Sequence, residues 1–318
     1  MAESKKSPKK AAAQAAGGEV NDAGTWTASE GSKKKATGLR IWAIVLWVLG
    51  LGAEIGAIFG LLLNENILTT KTSIDENGVL TTTPDAFPDW AFWTLIGLLV
   101  FDAIVVIIGS QLWKRANSYD PASKKEPVRF FVQNQLGAII SLIAFVPVII
   151  LIFLNKNMDK TQKGWAGGIA VVLGIVAVLF GISYSPPSVE QYTADRQAVI
   201  QLLGTDTVYW TTGGEVSHVC GTVSDLADSV VTSGTTAEAV EAGKPRLTLE
   251  LESELEACGR AVPHNIDEIV DAIRAVRDGT IDVQILPTPD WTGVENAPTG
   301  GDLDQLNEVL DGLTASEG

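Results

Sequence analysis

Ile41–Leu63 reads IWAIVLWVLGLGAEIGAIFGLLL and Trp90–Trp113 reads WAFWTLIGLLVFDAIVVIIGSQLW. Each is an unbroken apolar run interrupted by a single carboxylate. Two further runs follow, Leu136–Leu154 and Trp165–Ile182. At 1.5 Å per helical residue the four cover roughly 27–36 Å, enough for a hydrocarbon core of about 30 Å. Trp42, Trp90, Trp113 and Trp165 stand at their ends, where an amphipathic ring belongs at headgroup level. The runs predict an integral membrane α-helical region with four transmembrane helices, spanning 41–183.

Charge divides the rest of the chain. Of 318 residues, 23 are Lys or Arg and 38 are Asp or Glu, for a net charge of −15. Residues 1–40 are basic (+4), 41–183 nearly neutral (−1) and 184–318 strongly acidic (−18). An acidic balance excludes nucleic-acid binding driven by net positive charge. The head, 1–40, carries Lys5, Lys6, Lys9, Lys10, Lys33, Lys34 and Lys35 among Ala, Gly, Ser and Thr, and reads as a disordered basic tail. Its first apolar run begins too late, and is too long, for a signal peptide.

Lysine and arginine also orient the spans. The connection Lys114–Gln135 holds Lys114, Arg115, Lys124, Lys125 and Arg129, whereas Asn64–Asp89 holds Lys71 alone among several acids. The head and the second connection are therefore expected inside, and four spans return the C-terminus to the cytoplasm of a cell-membrane protein. Lys156, Lys160 and Lys163 in the third connection oppose that assignment, and parity is kept over them. Within the first connection, Ile67–Ile74 and Val79–Thr83 flank Asp75-Glu76-Asn77-Gly78 and predict a β-hairpin.

Three features inside the spans suggest chemistry or packing. Glu54 and Asp102 lie 13 and 11 residues from the expected cytoplasmic ends of their helices. Their depths thus differ by only about 3 Å. With no Lys or Arg in any span to neutralise them, such acids could share a proton, hold a cation or relay protons. Gly52, Gly56 and Gly60 form a small-residue stripe suited to helix packing, within one bundle or between copies of a homo-oligomer. Pro147 is expected to kink the third span.

After Pro186-Pro187 the pattern becomes that of a small soluble α+β domain, 184–285. Ser188 with Gln191 predicts a helix to about Leu203, Thr235 with Glu238 a second ending at Gly243, and Asn265 with Glu268 an amphipathic third. TVYWT (Thr207–Thr211) and EVSHVC (Glu215–Cys220) around Gly213-Gly214 predict a hairpin, and Arg246–Leu251 a half-buried strand. Residues 286–318 read as a flexible acidic tail with a weak helix near Asp302–Leu313.

His218, Cys220, Cys258 and His264 all fall in this domain. Three readings are open: a zinc site from H-x-C and C-x5-H, a Cys220–Cys258 disulfide, or two separate thiols. There is no phosphate-binding glycine loop, no His-rich metal motif and no nucleophile elbow, so no enzyme and no cofactor other than zinc is expected. The bilayer and a protein partner of the acidic domain are the expected contacts, in a membrane-anchored interaction or sensory protein. The alternative is a small proton- or cation-coupled transporter or channel using the intramembrane carboxylates.

The segments NQLGAIISLIAFVPVIILIFLNKNMDKTQKGWAG (134–167), PPSVEQYT (186–193) and VYWTTGGEVSHVC (208–220) resemble an uncharacterised, largely actinobacterial family of Gram-positive four-span membrane proteins. The resemblance covers roughly 40–260 and implies no established activity. Some relatives continue into a small Cys/His module ending Tyr-His, then Cys, then C-x-x-C. Here Ser217 stands for the Tyr and Val223 for the middle Cys, only Cys258 stands near the terminal pair, and Cys220 is additional.

Overall fold

The computed structural model describes residues 25–74, 78–227, 229–280 and 286–316. It is mostly helical and divides into two units, one of residues 38–115 and 131–184, the other of the remaining described segments.

The first unit contains four helices long and apolar enough to cross a membrane. They are α1 (Glu30–Ala57), α2 (Asp89–Tyr119), α3 (Pro127–Leu154) and α4 (Lys160–Gly181). α1 is prolonged by a π-helical turn, Ile58–Leu62, in which Leu63 N–H reaches back to Ile58 C=O. α3 runs unbroken through Pro147. Their inward faces meet in one core of Trp47, Leu95, Leu99, Val106, Phe145, Val148 and Ile152, while Ile44, Val48, Ile108, Ile150 and Ile175 stay exposed. That division, apolar outside as well as inside, is what a lipid solvent permits. Trp90 and Trp165 are exposed near the starts of α2 and α4 as expected, whereas Trp42, also exposed, lies well inside α1, which begins earlier than the apolar run. Trp113 is not: it packs on Trp47 and donates its indole N–H to Gln133 C=O at 2.7 Å.

Between α1 and α2, strands β1 (Thr69–Ile74) and β2 (Leu80–Ala86) pair antiparallel, Ile74 opposite Leu80. The turn residues Asp75, Glu76 and Asn77 lie outside the described residues. At the same end, Asn155 donates to Leu62 C=O and accepts from Asn157 and Met158 N–H. Asp159 and Gln162 cap α4 reciprocally, satisfying two N–H groups left over by the helix. Lys71 lies 3.5 Å from Asp89 and 3.8 Å from Asp159.

In the second unit, α5 (Val189–Leu203) begins at Ser188, whose hydroxyl accepts from Gln191 N–H, and ends at Gly204 with φ +75°. Further on come β3 (Val208–Trp210), β4 (Val216–Ser217), β5 (Thr232–Gly234), α6 (Thr236–Glu241), β6 (Arg246–Leu247), α7 (Leu251–Ala257), α8 (Ile266–Asp278) and α9 (Gly301–Ser316). β3 pairs antiparallel with β5, and β4 parallel with β6. A single bridge, Tyr209 to His218, joins the two pairs. The core lies between α5 (Ala198, Val199, Leu202), α7 (Leu251, Leu255) and the apolar face of α8 (Ile266, Ile269, Ile273, Val276), with Val208 and Leu247 from the strands.

Several expectations need correction. The basic head is helical from Glu30, so Lys33, Lys34 and Lys35 are on α1. Ahead of them Trp26 is buried edge-on against Tyr192, with ring centroids 4.8 Å apart. Residues 1–24, with the remaining lysines, lie outside the described residues. The expected hairpin over 207–220 is reduced to the antiparallel Tyr209–His218 bridge, and β3 pairs along its other edge with the later strand β5. Arg246–Leu251 is extended only over Arg246–Leu247, since Leu251 already starts α7. Asn265 does not cap α8. Its amide instead accepts from Asp290 N–H and donates to Thr288 C=O. The described part of the C-terminal segment, 286–316, is tied down as well, with Leu286 buried in the core and Asp302 accepting from Asp206 N–H.

Candidate functional site

β4, β6 and the loops around them border a cleft of about 810 Å³. The loop Thr211–Glu215 forms one side, held by Lys244, whose buried ammonium donates to the carbonyls of Thr212 (3.1 Å) and Gly214. Asp225 and Leu226, Thr248–Glu250, Arg246 and Arg277 complete the lining, and His218 faces it.

His218 is buried and oriented. Its Nδ1 lies 2.7 Å from Glu254 Oε1, while Glu254 Oε2 accepts Val219 N–H at 2.9 Å. Glu254 reaches it from α7, one helical turn beyond Leu251 and on the same buried face. The hydrogen bond to Glu254 raises the His218 pKa above its ordinary value, against the opposing effect of burial, and the charges of Glu254, Asp225 and Glu250 add to the rise. With Nδ1 committed to Glu254, Nε2 is an acceptor when the ring is neutral and a donor when it is charged.

At the cleft wall, Arg277 Nη2 donates to Asp195 Oδ1 at 3.0 Å and to Leu247 C=O at 2.7 Å. Burial holds the Asp195 carboxyl above its usual range, with the Arg277 charge opposing. On the far end of α8, Lys124 Nζ donates to Val276 C=O, capping the helix end with a cation. Burial raises the Glu190 carboxyl, but donation from Lys124 N–H and the Ser123 hydroxyl outweighs it and brings the net shift below the ordinary value.

The four Cys and His residues do not converge on one centre. Cys220 and Cys258 form a disulfide, with Cα atoms 5.8 Å apart. His264 is elsewhere, with Nε2 3.0 Å from Thr292 C=O on an exposed loop. Both sulfurs are spent in the disulfide and the two imidazoles are held apart, so the zinc arrangement is not assembled. Among the described residues no group of three or more His, Cys, Asp or Glu could hold a metal. Glu254, Lys244, Asp195 and Arg277 went unrecognised in the sequence. Only Glu254 carried a signal there, a carboxylate three residues after Leu251 on an apolar face.

In the helical unit, Glu54 and Asp102 are both buried. Glu54 Oε1 and both oxygens of Asp102 lack a hydrogen-bond partner. Asp102 packs against Gly50, where an added Cβ would stand 2.5 Å from Oδ1. Gly50 is therefore the glycine of α1 that this approach requires. Gly52, Gly56 and Gly60 face open space, with nothing within 4 Å of an added Cβ. The stripe is no packing face within one copy of the chain.

No family model, no curated protein and no solved structure matches this chain. The cleft and the two buried acids of the helical unit must be read from their own chemistry. The first offers an oriented imidazole among charges of both signs. The second offers two carboxylates without partners.

Proposed function

We propose that this chain is a membrane-anchored interaction or sensory protein whose second unit receives a polar ligand in the His218 cleft. We place it in the cell membrane with the N-terminus and that unit on the cytoplasmic side. Lys33, Lys34, Lys35, Arg40, Lys114, Arg115, Lys124, Lys125 and Arg129 favour that side, against Lys71, Lys156, Lys160 and Lys163 on the other. The observation that carries the binding reading is His218, a buried imidazole oriented by Glu254 that lines an otherwise open cleft. Photo-crosslinking in the intact membrane tests it. A benzophenone side chain at Leu249, which lines the cleft, should give a discrete adduct that one at the exposed Val230 does not. Equal adducts from both positions, or none from Leu249, would remove the reading.

A second reading rests on Glu54 and Asp102. Buried carboxylates without partners bind protons readily, and this supports proton- or cation-coupled transport. If Glu54→Gln with Asp102→Asn left ion flux in proteoliposomes unchanged, transport would be abandoned.

A further inference from the structure

Cys220 follows His218 by two residues and Cys258 follows Glu254 by four. The disulfide therefore joins the same two segments that the His218–Glu254 hydrogen bond joins, across 38 residues of chain. The two sulfurs are unequally placed. Cys220 is fully buried with Val223 and Leu226, and Leu226 also lines the cleft. Cys258 is half-buried at the end of α7. The Thr222 hydroxyl lies 3.3 Å from Cys220 Sγ and 3.6 Å from Cys258 Sγ, within reach of either.

We propose that Cys220–Cys258 is a thiol–disulfide exchange site whose co-substrate is a dithiol, and that its redox state sets the rigidity of the cleft wall. The proposal rests on the cytoplasmic placement given above. On that side reducing dithiols keep disulfides from persisting, and those that form are transient or regulatory. A thiolate of the dithiol attacks Cys258 Sγ, which belongs to the less buried of the two residues. The S–S bond breaks, its electron pair leaves with Cys220 Sγ, and the Thr222 hydroxyl donates to the new thiolate. The second thiol of the reductant, deprotonated, then attacks its partner sulfur in the mixed disulfide and releases Cys258 as a thiolate. The reductant leaves as its own disulfide, and two electrons and two protons have passed to the pair. The reverse sequence, with an oxidised dithiol as acceptor, restores the staple. In the reduced state the covalent staple between the His218 segment and α7 is gone, and non-covalent contacts such as the Glu254 hydrogen bonds to His218 and Val219 hold the two together.

Three measurements on the full chain test this. Purified protein in nanodiscs, exposed to reduced glutathione and quenched with acid, should carry the mixed disulfide on Cys258 roughly tenfold more than on Cys220. Preference for Cys220, or no adduct, overturns the assignment. In cells, acid-trapped protein should be largely reduced, convert to the disulfide within minutes of diamide treatment, and revert after its removal. A pair oxidised throughout, while unreachable by an impermeant maleimide added to intact cells after reduction, overturns exchange and leaves the cytoplasmic placement standing. Labelling by that maleimide in intact cells overturns the placement and with it the proposal. Finally, amides of residues 216–226 should exchange faster in the reduced nanodisc protein. Unchanged exchange overturns the link to the cleft.

Discussion

The two units treat buried acids in opposite ways. In the second unit Glu190, Asp195, Asp206 and Glu254 are all buried, and each accepts hydrogen bonds from named partners. In the helical unit Glu54 and Asp102 are equally hidden, yet Glu54 Oε1 and both Asp102 oxygens accept nothing. A buried charge without a partner is expensive, so an acid in that position persists either by taking up a proton or by working for a living in binding or transfer. The paired acids are joints of the fold. The unpaired ones contribute little to stability and are the better candidates for chemistry among the long apolar helices.

The contrast can be broken most forcefully at Arg277. Arg277→Ala leaves Asp195 buried and uncompensated and should destabilise the second unit by about 3–5 kcal/mol. Urea-dependent hydrogen exchange of α5 and α8 amides in the full chain would read this, and a loss under 1 kcal/mol would show that Asp195 is not held by the pair. Next is Gly50→Ala, whose methyl would collide with Asp102 and should cost about 1–3 kcal/mol, as overpacking does. Gly56→Ala, which meets nothing, should stay within about 0.5 kcal/mol. Equal effects at the two glycines, measured by thermal unfolding in detergent, would refute the close approach at Gly50.

A smaller effect should follow pH. Folding raises the His218 pKa, so its contribution is fully present below the unfolded value of about 6.5 and is lost as pH rises through the higher folded value. Wild-type protein should therefore lose stability on going from pH 5.5 to pH 8 at this joint. Glu254→Gln should flatten that dependence, with a loss of about 1–3 kcal/mol at the acidic end. A pH profile of unfolding that Glu254→Gln left unaltered would detach His218 from Glu254. A small change is also expected at Asp102→Asn, within about 1 kcal/mol, because no hydrogen bond is removed. A large loss there would mean that Asp102 has a structural partner after all.

Legibility from sequence followed the range of the interaction. The caps of Ser188 and Thr235 were readable, since donor and acceptor are three residues apart. The buried face of α8 was readable too, through Ile266, Ile269, Ile273 and Val276 at helical spacing. The pairing of β3 with β5 was not, because Gly213-Gly214 offered a nearer turn and nothing local disfavoured it. Neither was the burial of Trp26 or Leu286, each drawn from a polar segment into a core assembled elsewhere.

The chain on its own determined that four helices would be apolar enough for a bilayer, because length and transfer free energy are additive along a segment. It also determined α5 and α6 through their caps and α8 through its periodicity, but not the short α7. Tertiary structure alone decided that His218 would meet Glu254 across 36 residues, that Arg277 would meet Asp195 across 82, and that Cys220 would join Cys258. Such pairs form only when packing brings distant segments together, and residue types by themselves do not specify which of several partners the fold will supply.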